Sequence, residues 1–171
     1  VDAGMDNQAE CVQRHIPRID DYLWVAEDGM KMQGYNGSQC WDPSFAIQAI
    51  VEGNLAEQFP DCARKVYQYF DRCQIATDEI DKEFYFRHVS KGGWPFSTSG
   101  HGWPISDCTA EGLKGVLCLH RAMNGSLIAP EDRINDDRLK DAVNVILTLH
   151  NADGGWATYE NNRGSRWYEM L

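Results

Sequence analysis

The sequence predicts an all-α protein built as a repeating array of helices, and three observations carry that prediction. Segments with helical periodicity alternate between short and long. No segment reads as a confident strand. Two long amphipathic segments end in the same kind of punctuation, Gln74 followed by Gly92-Gly93-Trp94 and His150 followed by Gly154-Gly155-Trp156. A unit of short helix, long helix and Gly-Trp loop that cannot bury both faces alone is stabilised by stacking on its neighbours, so its recurrence points to a helical array.

The elements follow in order. Residues 1–18 are polar, with a short helical pattern from Ala9 to His15 that Pro17 ends. The stretch from Asp21 to Gln39 is rich in Gly and Met without clear period, and reads as a structured loop. Asp42-Pro43 predicts a helix start, an N-cap followed by proline at the first position. Phe45, Ala46, Ala49 and Ile50 form its apolar face, and Gly53 stops it. A second helix is expected over roughly 56–74, with Phe59, Ala63, Val66, Phe70 and Cys73 on one stripe. After a loop dense in Gly, Pro and Trp, Ser106 reads as an N-cap with Asp107 in the first turn. Leu113, Val116, Leu117 and His120 then recur at helical spacing to about Met123. The last helix is expected from about Glu131 to His150, with Leu139, Ala142, Val143, Ile146 and His150 on its stripe, and Gly154-Gly155 closes it.

Composition narrows the function. A chain of 171 residues is long enough to bury a core and would ordinarily form one domain. The net charge of −10 argues against nucleic acid, whose phosphates need clustered Lys and Arg. The six cysteines form no CxxC pair and no compact framework, so free thiols in a reducing compartment are expected. No apolar run reaches membrane-spanning length and no signal peptide opens the chain, which leaves peripheral membrane docking open. No Asp/Cys/His set has the spacing of a zinc site, and neither metal nor cofactor is expected.

The chemistry concentrates at Asp107. A carboxyl in a first turn lies at the helix's positive end, which favours its anion. Trp94, Phe96 and Trp103 crowd the same loop. An acid beside aromatic faces suits chemistry that makes a carbocation by protonation and then keeps it alive.

The stretch from Ser106 to Glu111, Ser-Asp-Cys-Thr-Ala-Glu, resembles the catalytic motif of the oxidosqualene cyclases, which fold 2,3-oxidosqualene into sterol and triterpene skeletons. Residues 21–39, 40–50 and 151–160 also look like family segments in family order, so the resemblance covers nearly the whole chain. It implies part of an α/α toroid, a double-layered barrel of helices with QW-type repeats, in which a Gln at a helix end stacks on a Trp after a Gly turn. Gln74 and Trp94 match the first copy, and His150 stands where the second copy expects Gln. Family members are several times longer, so residues 1–171 look like a single partial domain, an internal piece of a cyclase.

By the same resemblance, Asp107 is the general acid that opens the epoxide, and Cys108 hydrogen-bonds it. A single Asp suits an epoxide, which is more basic than the alkene protonated by the Asp-rich motif of squalene–hopene cyclases. Trp41, Phe96 and Tyr159 match aromatic residues that stabilise cationic intermediates, while Trp24, Trp94, Trp103 and Trp156 read as packing or repeat-stacking residues. Tyr35, His101 and Ile105 match product-determining residues of cycloartenol-forming members. Pro43-Ser44 and Gly100 depart from the family pattern, and Gly100 could loosen the loop that carries His101.

The expected activity is a terpene cyclase/mutase, an isomerase, converting (S)-2,3-oxidosqualene to a sterol precursor, cycloartenol first, by acid-initiated cationic cyclisation. Lanosterol or another triterpene alcohol is the alternative product, and a non-catalytic helical-repeat fragment is the alternative role. The lipid substrate implies a peripheral membrane enzyme docked through parts outside residues 1–171. In a eukaryote it would sit on the endoplasmic reticulum membrane or a lipid droplet.

Overall fold

The structure, a computed structural model, describes residues 10–32, 37–161, 164–165 and 167–168. It divides into two compact units, the first ending at Gly37 and the second beginning at Ser38.

The first unit opens with helix α1, Glu10–His15. Pro17 then falls at the start of a 3₁₀ segment, Ile16–Tyr22, so proline ends the α-helix as its missing N–H requires. The expectation of a structured loop without strands is corrected here. Strands β1, Leu23–Ala26, and β2, Gly29–Met32, pair antiparallel with Trp24 opposite Lys31 and Val25 opposite Met30. The turn residues are Glu27 and Asp28, and Gly29, which opens β2 opposite Ala26, takes a φ of +125° that a side chain would resist. Both strands are exposed almost throughout, so no period-two alternation advertises them. Tyr35 lies outside the described residues.

The second unit holds helices α2, Trp41–Glu52, α3, Pro60–Cys73, α4, Ser106–Arg121, and α5, Asp136–Thr148. Among the described residues helices dominate and sheet is confined to the one hairpin, so the all-α expectation holds.

Helix boundaries move where backbone partners override sequence cues. Helix α2 begins at Trp41 because the Phe96 carbonyl accepts both the Cys40 and Trp41 N–H groups (3.2 and 3.1 Å), which leaves Asp42 in the first turn rather than at the cap. Helix α3 begins at Pro60, whose absent N–H costs nothing at a first position. Helix α4 has Ile105, in extended conformation, at its cap rather than Ser106. Helix α5 starts later than expected, at Asp136, because the Asn135 side chain accepts the Arg138 N–H (3.0 Å), and Glu131 belongs to a separate short turn.

The buried faces also rotate. Helix α2 buries Ser44, Ile47 and Gln48, and leaves Phe45, Ala46 and Ala49 exposed. The polar atoms on that face are satisfied: Ser44 Oγ donates to the Cys40 carbonyl (2.7 Å) and Gln48 Nε2 to the Glu111 carboxylate (2.7 Å). Helix α4 buries Cys108, Thr109, Gly112, Gly115, Val116 and Leu119. Its contact surface is built on glycine, which a count of large apolar residues passes over. A Cβ at Gly112 would lie 3.2 Å from the Trp94 ring, and one at Gly115 would lie 3.1 Å from Ile47 and 3.3 Å from Phe70. On α3, Tyr67 takes a buried place while Phe59 is exposed, and α5 packs Ala142, Val145 and Leu149 rather than Val143. Trp94, Phe70, Ile47, Leu119 and Val116 are fully buried and tie α2, α3 and α4 into one core. Each such side chain contributes about 1.5–3 kcal/mol by leaving water.

The two copies of the repeat share backbone detail. In the first, Gly92 N–H donates to the Ile75 carbonyl, Ile75 N–H to the Gly93 carbonyl, and the Trp94 indole to the Phe70 carbonyl on α3 (2.9 Å). In the second, Gly154 N–H donates to the Asn151 carbonyl, Asn151 N–H to the Gly155 carbonyl, and the Trp156 indole to the Ile146 carbonyl on α5 (3.0 Å). Gly92 and Gly154 both need positive φ, +97° and +91°. At the Gln position the copies diverge. Gln74 Nε2 bonds the Gly92 and Arg138 carbonyls, whereas the His150 ring meets Trp156 edge-on with centroids 4.7 Å apart.

Candidate active site

Helices α2 and α4 run side by side in the same direction. Gln48 reaches Glu111 near the middle of each helix, and Ile47 packs on Gly115 a turn further along α4. Both helices start at the same end, because the segment 94–96 joins those starts. The Phe96 carbonyl takes the first N–H groups of α2, the Trp94 carbonyl takes the Ile105 N–H (3.3 Å), and Trp94 N–H donates to Thr109 Oγ1 (3.0 Å). Trp41, the first residue of α2, and Asp107, in the first turn of α4, thus share one end of the helix pair.

Asp107 is exposed, and its Oδ1 accepts the Cys108 N–H at 2.8 Å. The carboxylate itself therefore serves one of the unpaired N–H groups that every helix start leaves. Cys108 is buried. Burial pushes its thiol well above the usual range, and the Asp107 charge, the Cys40 thiol and a hydrogen bond with the Asp107 side chain act in the same direction. The Cys40 thiol is pushed up to about 12, chiefly by burial and then by Cys73. Both thiols therefore stay protonated at neutral pH, so each is a neutral neighbour and a weak donor.

The aromatic residues near this end fall into two groups. Trp41 stacks on Phe96 with centroids 6.0 Å apart and rings 28° from parallel, and Phe45 meets Trp41 edge-on at 4.7 Å. Tyr159 packs edge-on against Trp103 at 6.3 Å. This second pair is tied to the acid-bearing helix through the Thr158 carbonyl, which accepts the Ser106 N–H at 3.1 Å. Ile105 is buried immediately before that residue. His101 closes a short turn, half-buried, and its Nδ1 is buried with no partner among the described residues.

The expected residues Trp41, Phe96, His101, Ile105, Asp107, Cys108 and Tyr159 are thus linked through one loop and two helix starts. Trp94 is a packing residue, as expected. Trp103 departs from that reading. It is 38% exposed, carries the Arg87 guanidinium over its ring at 4.2 Å, and gives its indole N–H to Glu160 (2.6 Å). Arg87 and Glu160 escaped the sequence analysis because the two lie far apart in the chain. The position of Glu160 directly after Tyr159 was the one hint in the sequence, and its burial shows only in the structure. Among the described residues no group of three or more His, Cys, Asp or Glu is placed to hold a metal ion, and no helix is long and apolar enough to cross a membrane.

Comparison with known proteins accords with this arrangement. The family described as squalene-hopene cyclase C-terminal domain matches residues 37–170. A cycloartenol synthase from Dictyostelium discoideum is 52% identical over 97% of this chain and 23% of its own length. A lanosterol synthase from Pneumocystis carinii is 48% identical over 98% of this chain and 23% of its own. A lanosterol synthase from Mus musculus is 48% identical over 93% of this chain and 21% of its own. The chain thus spans somewhat less than a quarter of the length of these relatives.

Proposed function

Because the chain belongs to the oxidosqualene cyclase family, as part of the α/α toroid that the squalene–hopene cyclase C-terminal domain forms, we propose that it is the proton-donating segment of a longer enzyme. That enzyme converts (S)-2,3-oxidosqualene to a sterol precursor. The observation that carries the proposal is the placement of an open carboxyl, Asp107, beside a protonated buried thiol at the helix end where Trp41 stacks on Phe96.

In this reading Asp107, protonated, gives its proton to the epoxide oxygen. The C–O bond breaks, the oxygen stays on the product as a hydroxyl, and the carbocation is captured by successive alkenes. Cys108 keeps the acid in place through its N–H and thiol. The faces of Trp41, Phe96 and Tyr159 stabilise positive charge as it migrates, each by about 0.5–2 kcal/mol depending on desolvation. A proton lost from the last cation completes an isomerisation with no net change in atoms. The chain needs no cofactor for this sequence, because every step is a proton transfer or a bond migration.

Cycloartenol is the favoured product, on the match of Tyr35, His101 and Ile105 to cycloartenol-forming members. Lanosterol is supported equally by relatives of similar identity. His101, whose buried Nδ1 has no partner among the described residues, is the group suited to steer the last proton. An enzyme on so apolar a substrate would work at a membrane surface, the endoplasmic reticulum or a lipid droplet, docked through parts beyond this segment. Incubating the full-length protein with (S)-2,3-oxidosqualene and identifying the alcohol by gas chromatography and mass spectrometry tests the proposal. A cyclised C30 alcohol is expected, and recovery of unchanged substrate would overturn it.

A further inference from the structure

Arg87, Trp103 and Glu160 make a cluster that the reaction scheme does not use, and it abuts Tyr159, which the scheme does use. Glu160 is only 5% exposed and both its oxygens are engaged, Oε1 by Arg87 Nε (2.7 Å) and Oε2 by the Trp103 indole N–H (2.6 Å). The Arg87 guanidinium also lies over the Trp103 ring, 4.2 Å from its centroid. One indole is thus held at its edge by a carboxylate and on its face by the cation paired with that carboxylate. A charged pair with so little solvent is a costly way to join two loops, and it is stable only when its hydrogen bonds are well made. Arg87 Nη2 is buried with no partner among the described residues, so the guanidinium is used for its face and its Nε rather than for a forked pair.

We propose that Arg87 and Glu160 are positioning residues of this site, clamping the Trp103 indole and through it the Tyr159 ring and the loop that carries His101 and Ile105. Trp103 meets Tyr159 edge-on, and Tyr159 directly precedes Glu160. Trp103 also lies between His101 and Ile105 in the loop that enters α4, while the Thr158 carbonyl holds the Ser106 N–H. Three segments distant in sequence, around 87, 101–106 and 158–160, therefore meet at one indole. If the indole tilts, both the ring facing the cation and the loop that shapes its exit move with it.

The inference rests on the cyclase reading, and the experiment separates the two. In the full-length protein, Glu160→Ala removes the indole acceptor, and Glu160→Gln, which keeps an acceptor but no charge, serves if the first variant fails to fold. Product ratio is measured by gas chromatography in the wild-type and Trp103→Phe backgrounds. Labelling with 5-fluorotryptophan reports the Trp103 resonance, assigned by its loss in Trp103→Phe. A change in product ratio of about tenfold, which takes only about 1.4 kcal/mol, is expected for Glu160→Ala, with a shifted Trp103 resonance. In the Trp103→Phe background the same substitution is expected to change the ratio less than about twofold, because both residues act through one ring. A lower melting temperature with an unchanged product ratio would reduce the cluster to a structural tie and overturn the proposal. So would an unshifted Trp103 resonance. A wild-type protein that makes no cyclised product overturns the cyclase reading instead, and the resonance alone then decides whether Glu160 holds the indole.

Discussion

Asp107 and Tyr67 illustrate two ways in which a polar side chain is set by its neighbours. The place of Asp107 in the first turn of α4 was legible from the sequence, because motif and helix start coincide there. Tyr67 was not, since its partners lie on other helices. Ile134 N–H donates to Tyr67 Oη (2.5 Å), which also lies 2.7 Å from His120 Nε2, a nitrogen that accepts the phenol proton when it carries none itself. Burial holds His120 below its usual range, with Arg133 acting the same way and Asp136 opposing. A histidine depressed in the folded state binds more protons when unfolded. Its contribution to stability is therefore complete above about pH 6.5 and is lost as pH falls through its lower folded value. The melting temperature of the full-length protein should fall between pH 7 and 5, with a shallower fall in His120→Gln; equal slopes would exclude this histidine as a source. For product choice, Ile105→Val and His101→Gln should divert material towards other alcohols, by up to about tenfold in ratio, while substrate consumption is largely kept, since about 1.4 kcal/mol suffices. An unchanged single product in both variants would remove these two residues from that role.

At the scale of elements, the sequence was read well for which helices exist and less well for how they turn. Period-counting found four of the helical segments of the second unit, yet it placed the apolar face of α2 on Phe45, Ala46, Ala49 and Ile50, of which only Ile50 packs on the core. The face that packs carries Ser44 and Gln48, polar groups satisfied by Cys40 and Glu111, and these partners are visible only in three dimensions. On α4, Gly112 and Gly115 make the contact because Trp94, Ile47 and Phe70 occupy the space where side chains would be. The hairpin at Leu23–Met32 was missed for a different reason, an exposed ribbon having no alternation to detect. The two glycine contacts differ in what they tolerate. Gly92 combines a φ of +97° with a Cβ position 2.4 Å from the backbone of Asp141 on α5. Gly92→Ala should therefore cost at least the roughly 1–3 kcal/mol of an overpacked site, because backbone cannot yield as a side chain can. Gly115→Ala meets only the ends of Ile47 and Phe70 and gains helix propensity of about 1 kcal/mol, so its net cost should be distinctly smaller. Urea midpoints of the two variants check the order, and equal midpoints would contradict it.

For the molecule as a whole, the repeat explains why some of its faces are buried and others are open. Trp94 is wholly buried because α4 lies against it, whereas Trp156, with the same bond to the helix behind it, is 51% exposed. Phe45, Val143 and Leu147 are likewise open, faces of the kind that an array buries by adding neighbours. The proposed cyclisation needs a closed, dry cavity to protect successive cations from water, and this chain covers less than a quarter of its relatives' length. The 171-residue protein alone is therefore expected to leave oxidosqualene unchanged; measurable cyclisation by it would contradict the need for walls from outside this segment. The account stands most directly on Asp107 as the proton source. The test is the turnover of (S)-2,3-oxidosqualene by the full-length Asp107→Asn protein, with its melting temperature compared to wild type. Asparagine keeps the shape and an oxygen for the Cys108 N–H but has no acidic proton to give. The account predicts an unaltered fold and a rate lowered by at least about 10³-fold, on the scale of losing a general acid. A folded Asp107→Asn protein that still cyclises the substrate at near the wild-type rate would contradict it.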